Sequence, residues 1–78
     1  MQAPVLLPDL GAAPVVLSVW FADPGDQVYQ GDRLVEVLVH GATFDVAAPA
    51  TGRLAAQHAF PDQRLETGQV LGMLEVEE

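Results

Sequence analysis

The apolar positions of this chain either alternate with polar ones or form short runs, and Pro, Gly and Asp residues separate these segments. A period of two and short bounded runs are typical of β-strands, and no amphipathic helical repeat persists for three turns. The pattern therefore predicts an all-β protein. The predicted strands cover residues 5–7, 16–22, 27–29, 33–39, 42–47, 52–59, 64–65 and 70–76.

The chain is built from two similar halves. Residues 5–11 (VLLPDLG) and 46–52 (VAAPATG) share Val, Pro and Gly at an offset of 41, and after an insertion at 12–15 the offset becomes 37. Eight matched pairs follow at this second offset: Leu17 and Leu54, Ala22 and Ala59, Pro24 and Pro61, Val28 and Leu65, Gly31 and Gly68, Leu34 and Leu71, Val37 and Leu74, Val39 and Val76. Neither half is long enough to bury its own apolar face, so the two must pack on each other.

This duplication predicts one domain over residues 1–78, with a first half at about 5–39 and a second at about 42–76. Two four-stranded sheets are expected to face each other as a flattened barrel with pseudo-twofold internal symmetry. Trp20 is expected to fill the space between the sheets.

The charge of the chain disfavours two classes of partner. Eleven acidic residues against three arginines give a net charge of −8, which repels phosphate backbones and anionic membrane surfaces. The N-terminal sequence has no basic residue before its apolar stretch and contains three prolines, so it fits neither a signal peptide nor a membrane span. We therefore expect a cytoplasmic protein that binds neither nucleic acid nor membranes.

Groups that could carry catalysis or bind a metal are sparse. Glu36 and Asp45 form a possible carboxylate pair, but no nucleophile or third group accompanies them, so a solvated face is their expected role. His40 and His58 occur one per half, without ligand spacing and without any cysteine in the chain, which argues against a metal site. The sequence therefore predicts neither an enzyme nor a metal-binding protein.

Four segments carry a resemblance to a known family. They are LPDLG at 7–11, WFADPGDQV at 20–28, QGDRLVEV at 30–37 and GQVLGMLEV at 68–76. Their order, spacing and internal duplication resemble the lipoyl/biotinyl-attachment domains, the carriers of 2-oxo acid dehydrogenase complexes and biotin-dependent carboxylases. The resemblance covers nearly the whole chain and implies the same flattened barrel of two four-stranded sheets.

The hairpin between the halves departs from that family. In lipoyl domains it reads glutamate, threonine, aspartate, lysine and alanine, and the lysine carries the lipoyl group. The matching residues here are Leu38, Val39, His40, Gly41 and Ala42. The methionines that flank the lysine of biotinyl domains are also absent, so the chain is nearer the lipoyl branch. Lipoate and biotin are joined through an amide to an unprotonated ε-amine, and the chain contains no lysine, so the resemblance implies that no cofactor is attached.

A two-residue turn explains Gly41 most simply, because the second position of such a turn needs a positive φ angle. A hairpin centred on His40 and Gly41 pairs Val39 with Ala42, Leu38 with Thr43, Val37 with Phe44 and Glu36 with Asp45. Alternation directs Val35, Val37, Phe44 and Val46 inward and Glu36, Leu38, Thr43 and Asp45 outward.

Leu38, Val39, His40 and Gly41, called the tip patch below, form a candidate contact surface at this hairpin. The alternative is an ordinary turn beside one exposed leucine, which soluble proteins tolerate.

The favoured hypothesis is a non-lipoylated interaction or structural module related to a 2-oxo acid dehydrogenase-type complex, with a protein subunit of such an assembly as its partner. Two alternatives belong to other classes. An acyl or carboxyl carrier requires the modifiable lysine that the sequence lacks. A barrel-sandwich module of an adaptor or membrane-fusion protein uses this fold without modification, but predicts long flanking helical segments that do not occur in these residues.

Overall fold

A computed structural model describes residues 1–77, and among them it contains eight β-strands and no helix. The strands are β1 (Gln2–Leu6), β2 (Val15–Trp20), β3 (Gln27–Val28), β4 (Arg33–Val39), β5 (Ala42–Ala47), β6 (Gly52–Gln57), β7 (Arg64–Leu65) and β8 (Val70–Val76). All eight predicted strands are present, which confirms the all-β class. No helix long and apolar enough to cross a membrane occurs in this part of the chain.

The strand bounds agree with the prediction for β4, β5, β7 and β8. β1 begins earlier than expected, because Pro4 is accommodated within the strand opposite Met73. β2 and β6 each end two residues early, at Trp20 and Gln57, because the chain turns away from the sheet there.

The strands form two antiparallel sheets of four. Sheet A has the order β1-β8-β6-β3, and sheet B has the order β5-β4-β2-β7. The strands β1, β2, β3 and β4 correspond to β5, β6, β7 and β8, and the two members of each pair occupy the same position in their sheets. For example, β1 and β5 are both edge strands. This correspondence confirms the pseudo-twofold barrel that the duplication predicts.

The core lies between the two sheets, and in residues 1–77 every buried side chain is apolar. The largest fully buried side chains are Leu7, Leu17, Leu34, Leu54, Leu71, Leu74, Val5, Val35 and Val37. Trp20 packs against this core but stays partly exposed, so it fills the space between the sheets only in part. Its Nε1–H donates to the carbonyl oxygen of Ala59 at 2.9 Å, which holds the indole at the margin of the core.

The β4–β5 hairpin lies at one end of a barrel that measures 37 × 19 × 18 Å, and Met1 and Val76 lie at the other. β5 runs away from the hairpin to Ala47, and a short connection then leads to Gly52, which pairs with Val76. The N–H of Val76 in turn donates to the carbonyl oxygen of Met1 at 2.7 Å. The hairpin end is therefore remote from both Met1 and Val76.

Candidate functional site

The turn between β4 and β5 consists of His40 and Gly41, and Val39 pairs with Ala42 on either side of it. The φ angles are 50° at His40 and 79° at Gly41. Two successive positive φ angles define the type I′ turn, whose twist matches that of the flanking strands. The predicted two-residue turn is confirmed, and the positive φ of His40 is an additional feature that the sequence did not reveal.

Position 41 is sterically open. A Cβ atom built on Gly41 would meet no atom within 4 Å, so the glycine is explained by its φ angle and not by crowding. His40 is also exposed. A side chain at position 41 would project into solvent, but glycine offers no amine, hydroxyl or carboxylate there.

The register of the hairpin confirms the predicted pairs, from Val39 with Ala42 to Glu36 with Asp45. Leu38 is partly exposed and is absent from the residues that pack on the core, in agreement with its predicted outward direction. Val39 does pack against the core, so the tip patch has one inward member.

Phe44 lies on the predicted inward face, opposite the fully buried Val37, but it is not buried there, because its side chain is 45% exposed. β5 is the last strand of sheet B, so no further strand covers the open side of Phe44. Alternation identifies the face on which a residue lies, whereas exposure also depends on the order of strands in the sheet.

A groove lies beside the tip patch, between the segment that follows β1 and the start of β5. Its volume is about 470 Å³, and its lining consists of Pro8, Asp9, Leu10, Val39, Ala42, Thr43 and Phe44. We call it the tip groove. The Oδ1 atom of Asp9 accepts a hydrogen bond from the N–H of Gly11 at 2.8 Å, which shapes the loop on one side of the groove. The sequence does not reveal this groove, because its lining comes from two segments that only the fold brings together.

The other candidate groups do not assemble into a reactive centre. Glu36 and Asp45 lie opposite each other, and Asp45 Oδ2 is 3.6 Å from Arg33 Nη1. His58 follows β6 in sheet A, whereas His40 lies at the tip of sheet B, so the two histidines belong to different sheets. Residues 1–77 contain no group of three or more His, Asp or Glu side chains placed to hold a metal ion.

Comparison with known proteins gives matches over most of the chain. The family described as "Biotin-requiring enzyme", of biotin/lipoyl type, matches residues 3–74. The lipoamide acyltransferase component of the branched-chain alpha-keto acid dehydrogenase complex of Pseudomonas aeruginosa is 36% identical over 75 residues, which cover 94% of this chain and 18% of that protein. The dihydrolipoyllysine-residue acetyltransferase component of the acetoin cleaving system of Pseudomonas putida is 31% identical over 58 residues, which cover 74% of this chain and 16% of that protein. The chain thus spans less than a fifth of the length of these relatives.

Two solved structures share the fold. The lipoyl domain of the 2-oxoglutarate dehydrogenase complex from Azotobacter vinelandii matches with a TM-score of 0.68 and 23% identity, over 96% of this chain and 92% of that one. A single-chain, multi-domain long-chain acyl-CoA carboxylase matches with a TM-score of 0.82 and 18% identity, over 99% of this chain and 7% of that one. Both matches concern the shape of the barrel.

Proposed function

The chain belongs to the biotin/lipoyl domain family, and we propose that it is a non-covalent interaction module of a 2-oxo acid dehydrogenase-type assembly, which carries neither lipoate nor biotin and catalyses no reaction itself. The observation that carries the proposal is Gly41 at the apex of the hairpin, in a chain without lysine.

The chemistry of attachment explains why the residue at position 41 determines whether a cofactor can be attached. Lipoate and biotin are held through an amide to a lysine amine, which must lose its proton to act as a nucleophile. The only basic side chains besides histidine are Arg33, Arg53 and Arg64. A guanidinium stays protonated and is a poor nucleophile, so none of them can substitute for lysine.

A comparison between the two sheets supports the tip patch as a contact surface. One outward row of sheet B joins Thr43, Leu38, Val16 and Arg64 through successive strand pairs. The quasi-equivalent row of sheet A joins Gln2, Glu75, Arg53 and Gln27 in the same way. The two central positions of these rows are therefore charged in sheet A, where they are Glu75 and Arg53, and apolar in sheet B, where they are Leu38 and Val16. Val16 and Leu38 pair directly with each other, as Arg53 and Glu75 do. Because the fold accepts a charged pair at these positions, the barrel does not require an apolar one, and Leu38 and Val16 offer a partner an apolar surface that sheet A lacks.

The nature of the partner is proposed from the relatives, two of which are acyltransferase components of multi-enzyme systems. We infer that the partner is a protein subunit of such an assembly. Met1 and Val76 lie at the opposite end of the barrel, so they leave the tip end accessible to a subunit.

Intact mass spectrometry tests the absence of modification. The protein is co-expressed with a lipoate ligase and a biotin ligase, with an authentic lipoyl domain as the positive control in the same cells. We expect the unmodified mass for this chain and a modified mass for the control. An added lipoyl or biotinyl mass on this chain would contradict the proposal.

Affinity capture tests the interaction, with purified acyltransferase, dehydrogenase and decarboxylase subunits of a 2-oxo acid dehydrogenase complex as prey. Leu38→Asp places a charge in the tip patch, and Val70→Asp places one on sheet A, where Val70 is 38% exposed. We expect Leu38→Asp to abolish capture and Val70→Asp to preserve it. Capture of no subunit, or equal capture by both variants, would refute the tip patch as the contact surface.

A further inference from the structure

The outer edge of β5 is open. β5 is the terminal strand of sheet B and pairs only with β4. Five of its six residues are exposed, Val46 being the exception. An edge strand presents unpaired N–H and C=O groups and can template another strand, so natural proteins usually block it with proline, lysine or a bulge.

The hairpin register identifies which backbone groups face outward. In a two-residue hairpin the residues that flank the turn, here Val39 and Ala42, form a hydrogen-bonded pair, and the next pair does not. Thr43 and Asp45 therefore lie in non-hydrogen-bonded pairs with Leu38 and Glu36. Their N–H and C=O groups point away from β4, and no loop or turn backbone group in residues 1–77 bonds to them.

The other half of the molecule provides an internal comparison. At the offset of 41 the counterpart of Asp45 in β1 is Pro4, which pairs with Met73 as Asp45 pairs with Glu36. Proline has no N–H, so β1 cannot donate at this point of its open edge. One of two quasi-equivalent edges is thus blocked, and the edge beside the tip patch is not.

The side chains along β5 specify what an added strand would carry. On the inner side, Phe44 is 45% exposed and lines the tip groove with Leu10 and Val39. On the outer side, Asp45 lies opposite Glu36, an arrangement of like charges that destabilises a strand pair. Within residues 1–77, Arg33 forms the ion pair with this pair of carboxylates, at 3.6 Å from Asp45.

A second copy of the chain is a poor occupant for this edge. Each copy carries a net charge of −8, and pairing of two β5 strands would bring two edges that each carry Asp45 close to each other. Charge complementarity favours a basic segment instead.

We propose that β5 binds an extended segment of a partner protein as an additional strand, with apolar side chains directed to Phe44 and the tip groove and lysine or arginine side chains directed to Asp45 and Glu36. The proposal rests on the function proposed above and specifies the chemistry of the partner.

The probe is a fluorescein-labelled heptapeptide, acetyl-KVKFKVK-amide, whose binding is measured by fluorescence anisotropy. A peptide of the same composition with all lysines first is the control for charge alone. Two further peptides are N-methylated on alternate amides, one in each of the two possible registers, because only amides that face β5 donate to it. We expect the alternating peptide and one methylated form to bind. The other methylated form should bind about thirtyfold more weakly, since it cannot donate to the outward carbonyls of Thr43 and Asp45 and each lost backbone hydrogen bond is worth roughly 1 kcal/mol.

The protein variants are Asp45→Pro and Asp45→Asn. Both remove the carboxylate, but only the first removes the outward N–H, and Pro4 shows that the fold accepts proline at this register. We expect Asp45→Pro to bind the peptide about fivefold more weakly than Asp45→Asn, because one hydrogen bond of roughly 1 kcal/mol is lost. Circular dichroism checks that both variants are folded, and the methylated peptides test the edge in the unaltered protein.

Several outcomes overturn strand addition. Equal binding of the two methylated peptides, or equal affinity of the two Asp45 variants for the peptide, would show that no edge hydrogen bonds form. Binding of the all-lysine-first control as tight as that of the alternating peptide would show that charge alone is recognised. A dimer in sedimentation that Asp45→Pro abolishes would show that a second copy occupies the edge. A lipoylated or biotinylated mass would refute the proposed function but would leave these peptide measurements unchanged, so the two failures are distinguishable.

Discussion

Gly72 lies directly against the indole ring of Trp20: a Cβ atom built on Gly72 would be 2.9 Å from Cη2 of Trp20 and 2.7 Å from the carbonyl oxygen of Ala56. Trp20 belongs to sheet B and Gly72 to sheet A, so this contact joins the two sheets. The absence of a side chain at position 72 is what lets the ring approach the opposite sheet.

Gly72→Ala should therefore destabilise the barrel by overpacking. A clash with backbone cannot be relieved by a rotamer change, and insertion of one carbon into a packed site typically costs about 1–3 kcal/mol. Urea unfolding followed by Trp20 fluorescence measures the change. Ala56→Gly, which removes a methyl group from the neighbouring strand, is the control for a general sensitivity of this region. Unchanged stability in Gly72→Ala would contradict this prediction, since both the Ala56 carbonyl group and the indole would then have to shift without cost.

The type I′ turn predicts opposite changes in stability for substitutions at its two residues. His40→Asn should stabilise the protein by about 0.5–1 kcal/mol, because asparagine tolerates positive φ better than other residues with side chains. Gly41→Ala should destabilise it by about 1 kcal/mol for the same backbone reason, although nothing lies within 4 Å of the new Cβ. Thermal unfolding of both variants at one pH checks the pair. Equal effects of the same sign would contradict the assigned turn.

The strands and the register of the β4–β5 hairpin could be predicted from sequence because two independent signals agree. Alternation assigns the faces of β4 and β5, and the duplication assigns a counterpart to almost every strand. The exposure of Phe44 and the tip groove could not be predicted in this way, since both depend on which strand ends the sheet. Pro4 shows the same limit: a proline usually argues against a strand, yet its missing N–H is harmless at an open edge.

Arg33 links the ring of Phe21 to Asp45, but it should contribute little to stability. Its guanidinium carbon lies 4.6 Å from the centroid of the Phe21 ring, and its side chain is 67% exposed. Exposed cation–π contacts and surface ion pairs are each worth about 1 kcal/mol or less. Arg33→Ala should therefore lower the free energy of unfolding by no more than about 1–2 kcal/mol, and part of the loss should vanish in high salt. Arg64→Ala, which removes a cation without an ion pair in residues 1–77, is the control.

Restoration of the family's hairpin residues should restore its chemistry if the barrel is otherwise competent. The variant Leu38→Glu/His40→Asp/Gly41→Lys introduces glutamate, aspartate and lysine at the three positions where a lipoyl hairpin has them. The new lysine would project into open space, because no atom lies within 4 Å of a Cβ at position 41. The positive φ of 79° would strain the backbone there, at a cost of about 1 kcal/mol that a folded domain can tolerate. We expect this variant to gain the mass of one lipoyl group when co-expressed with a lipoate ligase, and Leu38→Glu/His40→Asp without the lysine to stay unmodified. A triple variant that folds but remains unmodified would show that residues outside the hairpin also prevent recognition by the ligase.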